Sequence, residues 1–163
     1  VFEAVEESRA ELRPWMPWEG KTKCAEDCEK VARRAIGKWE LREDLMLTIW
    51  DKATSRFIGS SGLHRINWDV PSFEIGYWIR TSEHGKGYAA EAVKVIRDMA
   101  FNDLGANRVF IKMNATNLRS VGVAKRAQFI HEGTLRCDER DSFGNLRDTE
   151  VFALTRDDFL ALR

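Results

Sequence analysis

Cysteine is scarce in this chain, and what there is forms no pattern. Cys24, Cys28 and Cys137 are an odd set among 163 residues, without the pairing logic of a disulfide framework. Cys24 and Cys28 stand at helical spacing, but no second pair lies near them in sequence, so a structural metal site is not expected. They read as reduced, incidental thiols. The charge balance lacks an excess of either sign, with 26 basic against 26 acidic side chains. A chain whose main partner is nucleic acid or an anionic membrane carries a basic surplus, and none is present here. No apolar run approaches the ~20 residues of a membrane span. No signal peptide opens the sequence, so a cytoplasmic protein is expected. Repeats, low-complexity tracts and linkers are missing as well, and a single domain over residues 1–163 is the expectation.

What is there is organised around residues 73–101. Phe73, Ile75, Tyr77 and Ile79 alternate with Glu74, Gly76, Trp78 and Arg80, the period of a strand with one buried face. After a polar turn the period changes. Ala89, Ala92, Val93, Ile96, Met99 and Ala100 recur at helical spacing, with Glu91, Lys94, Arg97 and Asp98 on the outer side. Between them lies His84-Gly85-Lys86-Gly87-Tyr88-Ala89. Glycines at a helix start let the backbone turn tightly and bring its amides close to a ligand. The first turn of a helix leaves about four N–H groups without internal partners and carries roughly half a positive charge. A phosphate or pyrophosphate is the natural occupant.

The rest of the chain supplies a mixed frame. Residues 2 to 12 read as a helix that stops before Pro14, and Trp15-Met16-Pro17-Trp18 as an irregular aromatic segment. That segment is either a plug over the core or a wall of a substrate pocket, formed by Trp15 and Trp18. A helix from Ala25 to Leu41 places Cys28, Val31, Ala32, Ala35, Ile36 and Trp39 on its apolar side. Met46 to Trp50 and Phe57 to Leu63 form an antiparallel hairpin across residues 51–55, the second strand weakened or bulged at Gly59 and Gly62 and extendable to Trp68. Arg108 to Met113 is a strand, Leu118 to Ala127 a helix capped by Asn117 or Thr116. Phe129 to Glu139 and Leu146 to Leu154 make a closing hairpin, and Arg156 to Leu162 one or two helical turns. The alternation gives an α/β fold, a mixed sheet with helices on both faces.

Three phosphate-binding patterns compete for the central loop. A P-loop needs Ser or Thr after Gly-Lys, and Lys86 is followed by Gly87. Gly85 to Ala90 fits a dinucleotide G-x-G-x-x-A, but the acidic residue expected about 20 positions on is missing. The stretch resembles, third, the acyl-CoA pyrophosphate loop of the GNAT N-acetyltransferase superfamily, Gln/Arg-x-x-Gly-x-Gly/Ala, here His84, Gly87 and Ala89. His84 departs from that pattern. The resemblance covers Trp15 to Leu154. It is strongest to the Rim group of ribosomal-protein N-terminal acetyltransferases, on Phe73 to Trp78, on Gly85-Lys86-Gly87 and on Asn117 to Gly133, with Gln128 where glycine is usual.

That resemblance implies a GNAT-like fold with a mostly antiparallel, twisted central sheet, and a first strand that no segment before Phe2 supplies. It implies acetyl-CoA as co-substrate without a metal, held by Trp78, Ile79, Arg80, His84, Gly85, Lys86, Gly87, Tyr88, Ala89 and Asn117. The tyrosine many members use to protonate the leaving thiolate is replaced by Ala124. Ser120 matches the Rim group's alternative donor, and Glu139 stands where that group has its base. On the residues alone, Ser120 is a helix-start serine and Glu139 an edge residue beside Arg136 and Arg140, with Asp138 the nearest substitute. His131 reads as a surface strand residue and His64 as unassigned. The implied activity is acetyl transfer to a primary amine through a ternary complex. The acceptor is a protein N-terminus or, alternatively, a small amine; a non-catalytic acyl-CoA-binding module is the rival. The edge of the closing hairpin could pair two subunits in a homodimer.

Overall fold

A computed structural model describes residues 1–162. The chain begins with helix α1 (Phe2–Leu12), crosses the aromatic segment and enters α2 (Ala25–Glu40). Then come strands β1 (Leu45–Trp50), β2 (Phe57–Asn67) and β3 (Ser72–Ile79), helix α3 (Tyr88–Asn102), strand β4 (Arg108–Asn114) and helix α4 (Leu118–Arg126). Strands β5 (Ile130–Arg140) and β6 (Leu146–Thr155) and helix α5 (Arg156–Ala161) close it. No helix among the described residues is long and apolar enough to cross a membrane.

The strands form one sheet in the order β1-β2-β3-β4-β6-β5. All neighbours are antiparallel except β3 and β4, which α3 joins as a parallel pair. The expected mixed, mostly antiparallel sheet flanked by helices is what the chain builds. Alternation along each strand sends Phe73 and Ile75 of β3 and Val109, Ile111 and Met113 of β4 to one face, where Val93, Ile96 and Ala100 of α3 and Val123 of α4 meet them in the main core. Phe101 stacks on Phe159 of α5 at 4.5 Å, sealing the end of that core.

α1 is tied to the chain after β3 rather than to this core. Buried Arg80 bonds Glu3 and Glu7 of α1, Ser8 Oγ accepts from the Thr81 amide at 3.0 Å, and Glu7 accepts from the Ser82 amide at 2.8 Å. The approach to the glycine loop is thereby fixed from outside the sheet.

The apolar side of α2 does not pack into a core: none of its residues is buried, and Ile36 is 63% exposed. Its sheet-facing residues, Cys28, Val31 and Ala32, stand instead across an open cleft. Of the two glycines expected to weaken or bulge β2, Gly59 stands at a register shift against β1, where Ile49 pairs with Gly59 but Trp50 with Phe57, while Gly62 stays in register with both neighbours. A Cβ on Gly59 would lie 2.1 Å from the Trp78 carbonyl oxygen, so the neighbouring strand needs the space. A second irregularity falls between His64 and Asn67, where Arg65 takes a left-handed φ of 45°.

Candidate active site

The site begins where two strands part. β3 and β4 pair only through Ser72–Arg108, Phe73–Val109 and Glu74–Phe110, yet both strands run on, to Ile79 and Asn114. A cleft of about 1040 Å³ opens between and above them. The Arg80 amide donates to Ile58 O of β2 at 2.8 Å. Because strand amides point alternately to either neighbour, those of Ile79 and Tyr77 then face the opening, while those of Trp78 and Arg80 are used up against β2. Arg80 thus contributes neither its amide nor its buried side chain to the cleft.

Beyond the end of β3, a single helical turn (Thr81–Glu83) leads into the glycine loop. Gly85 and Gly87 adopt left-handed φ of 78° and 92°, and a Cβ at either would meet no atom within 4 Å, so their backbone faces open space. Gly87 is the N-cap of α3, and among the described residues no side chain caps that helix's first turn. The side chains of the loop turn away. His84 Nε2 lies 2.8 Å from Ile79 O, Lys86 bonds buried Glu83 at 2.8 Å, and the Tyr88 hydroxyl donates to Asp51 at 3.3 Å. What the loop offers a ligand is amide hydrogens and a helix start, the donor set an anionic diphosphate fits.

Asn117 and Ser120 lie on the same side of the sheet as α3. Asn117 caps α4, its Oδ1 accepting from the Ser120 amide at 3.1 Å. The Ser120 hydroxyl is 2.7 Å from the hydroxyl of Tyr77, which also donates to the Ser120 carbonyl at 3.3 Å. Burial pushes the Tyr77 phenol up to about 12, with the Ser120 bond partly opposing it. Tyr77 therefore stays protonated at neutral pH, a donor behind the serine. No local pattern signals this partnership, since residues 43 positions apart meet only through the sheet.

The other side of the cleft is walled by side chains from many segments. Trp15 and Trp18 line it, with Trp18 5.7 Å from Trp78 and Trp78 5.7 Å from Phe57. Glu139 lines it too, but the cations beside it are not Arg136 and Arg140. Strand pairing sets Glu139 opposite Arg147, whose guanidinium it bonds, while Arg65 comes within 4.0 Å and holds Glu74 at 2.7 Å. Arg140 is turned to Gly144 O at 2.7 Å. Asp138 bonds Lys112 at 3.3 Å. His64 lines the cleft with Asp44 beside it at 2.8 Å. His131 bonds Glu150 outside this cleft. Among the described residues no group of three His, Cys, Asp or Glu is placed to hold a metal ion.

Comparisons with known proteins bear on this geometry. A family model described as "Acetyltransferase (GNAT) domain" matches residues 2–130. An uncharacterized N-acetyltransferase p20 of Bacillus licheniformis is 33% identical over 108 residues, which are 66% of this chain and 60% of that protein. The probable N-acetyltransferase YjcK of Bacillus subtilis is 30% identical over 131 residues, 77% of this chain and 72% of that one. Among solved structures, RimL, a ribosomal alpha-N-protein acetyltransferase in complex with coenzyme A, superposes with a TM-score of 0.88 at 22% identity, covering 96% of this chain and 87% of RimL. A ribosomal-protein alanine acetyltransferase from Vibrio fischeri gives 0.84 at 20% identity, covering 97% and 87%. With the parted central strands and the glycine loop at the start of α3, the family match over residues 2–130 leaves one assignment: the chain belongs to the GNAT acetyltransferase family.

Proposed function

We propose that this protein is an acetyl-CoA-dependent N-acetyltransferase whose acceptor is the α-amine of a protein or peptide N-terminus. The observation that carries the reading is the uncapped start of α3, reached through the gap between β3 and β4. Gly85 to Ala89 hold the diphosphate of acetyl-CoA, which supplies the acetyl group as a thioester. The chain's residues do the rest. Trp78 and Ile79 flank the pantetheine arm, and the amides of Tyr77 and Ile79 offer donors to the thioester oxygen. One well-aimed donor of this kind is worth about 3–4 kcal/mol in the transition state.

Asn117 holds the first turn of α4, and so the Ser120 hydroxyl, against Tyr77. Ser120 gives its proton to the departing thiolate, and Tyr77 supports it as a protonated donor. On the acceptor side, Trp15 and Trp18 bound the entrance and Glu139, kept in place by Arg147, draws the amine inward. An α-amino group titrates near ~8, so a modest fraction is free base at neutral pH. Two similar structures carry ribosomal-protein acetyltransferase names. A cleft of about 1040 Å³, lined by tryptophans and ion-paired strands, has room for an extended peptide end.

The test is an acceptor screen with acetyl-CoA, reading thiol release from Ser- and Ala-initiated peptides and from spermidine. Saturable release with a peptide is the expected result. Release with spermidine alone would move the acceptor to small amines, and no release with bound CoA would leave an acyl-CoA-binding module.

A further inference from the structure

The acceptor face holds a pair without a task so far, His64 of β2 and Asp44 just before β1. His64 Nδ1 lies 2.8 Å from Asp44 Oδ2. A carboxylate only accepts, so in the neutral ring the shared proton sits on Nδ1 and Nε2 keeps its lone pair. No hydrogen bond to Nε2 is formed among the described residues. The ring lies over Gly76: a Cβ there would stand 2.9 Å from His64 Cδ2 and 3.2 Å from Nε2, so a side chain at this position would push the ring aside. Two carboxylates on the same wall are already engaged. Glu74, opposite His64 in register, holds Arg65 at 2.7 Å, and Glu139 holds Arg147.

Gly76 is also the residue before Tyr77, whose amide faces the gap and whose hydroxyl reaches Ser120 on the far face of the sheet. Successive strand residues point to opposite faces, so the free imidazole nitrogen and the serine hydroxyl bracket the gap from its two sides. We propose that His64 is the catalytic base for the acceptor amine and Asp44 its positioning residue, an inference that rests on the acetyltransferase reading above. The neutral amine nitrogen attacks the acetyl carbonyl and a C–N bond forms. The surplus proton on nitrogen passes to His64 Nε2. The C–S bond breaks with its electron pair going to sulfur, which takes the proton of Ser120. His64 then returns its proton to water, and water restores that of Ser120.

The experiment uses the full chain, acetyl-CoA and whichever of a Ser-initiated peptide, an Ala-initiated peptide and spermidine the wild type acetylates. His64→Ala and His64→Gln are each expected to lower kcat by about 100-fold, the low end of the range for a positioned base. KM for acetyl-CoA stays within threefold, and added imidazole restores turnover to His64→Ala. Asp44→Asn lowers kcat about tenfold at unchanged acetyl-CoA KM, and Asp44→Glu recovers most of it. A kcat within threefold of wild type in both His64 variants overturns the proposal. A second readout needs no turnover: nitrogen-15 spectra of the histidine rings, simplified by there being 3 histidines in all. Neutral His64 as the Nδ1–H form, losing that preference in Asp44→Asn, supports the pair; the Nε2–H form in wild type overturns it. If the wild type acetylates none of the three probes, the acetyltransferase reading fails while the ring spectra still decide the dyad.

Discussion

The two halves of the candidate site are made of different material. On the α3 side the ligand-facing groups are main-chain amides at Gly85, Gly87 and the first turn of α3, joined by Asn117 and Ser120, which a helix cap fixes, and by Tyr77 behind the serine. On the α2 side the wall is built from side chains of the segment before α2, of β1, β2 and β3, and of the β5–β6 hairpin, tied by ion pairs such as Glu74–Arg65 and Glu139–Arg147. A backbone site depends on a few φ angles and fails all at once when they are denied. A side-chain site shares its work over many residues and degrades by parts.

The sharpest way to break that contrast is at Gly87. A valine there cannot hold a φ of 92° without strain. Gly87→Val is expected to weaken CoA about 100-fold, or ~2.7 kcal/mol, by calorimetry. An unchanged heat of binding would remove the backbone cradle from the account. Next is Ser120→Ala, expected to lower kcat about 30-fold with acetyl-CoA KM within threefold, while Tyr77→Phe, which keeps the ring and removes the donor, costs about fivefold. Equal losses from the two would instead make Tyr77 the proton donor. On the opposite wall, Trp18→Ala is expected to raise the acceptor KM about tenfold, leaving CoA affinity unchanged, as loss of one aromatic contact predicts. A shift in CoA affinity would mean that the halves are not separable.

The smallest effect concerns the clamp that holds the loop's approach. The Arg80 hydrogen bond keeps the Glu7 carboxyl at about 2, below its usual 4.5. Glu7 therefore adds stability above pH 4.5 that is lost as pH falls toward 2. Melting temperature should drop across that window, and Glu7→Gln should flatten part of the drop. Glu7 is exposed, so solvent screening keeps its share small.

The contrast also explains what the sequence disclosed. The glycine loop, the change of period at Tyr88 and the Asn117 cap are local, written within a few consecutive residues, and the chain folds there as read. The Tyr77–Ser120 and His64–Asp44 pairs are not. They join residues 43 and 20 positions apart, and nothing but strand register brings them together. The partners of Glu139 were misread for the same reason: neighbours in sequence, Arg136 and Arg140, were expected where the cross-strand neighbour Arg147 stands. The apolar side of α2 is legible and its surroundings are not, because an amphipathic pattern says which side is apolar and not what lies opposite, here an open cleft.

One measurement bears most directly on the claim that main-chain amides around the two glycines hold the co-substrate. Titrating CoA into nitrogen-15-labelled protein should move the amide signals of Gly85, Lys86, Gly87, Tyr88 and Ala89 first and farthest, with those of Tyr77 and Ile79 following. Saturating CoA that leaves these seven signals in place, or moves only residues elsewhere in the chain, would contradict the account.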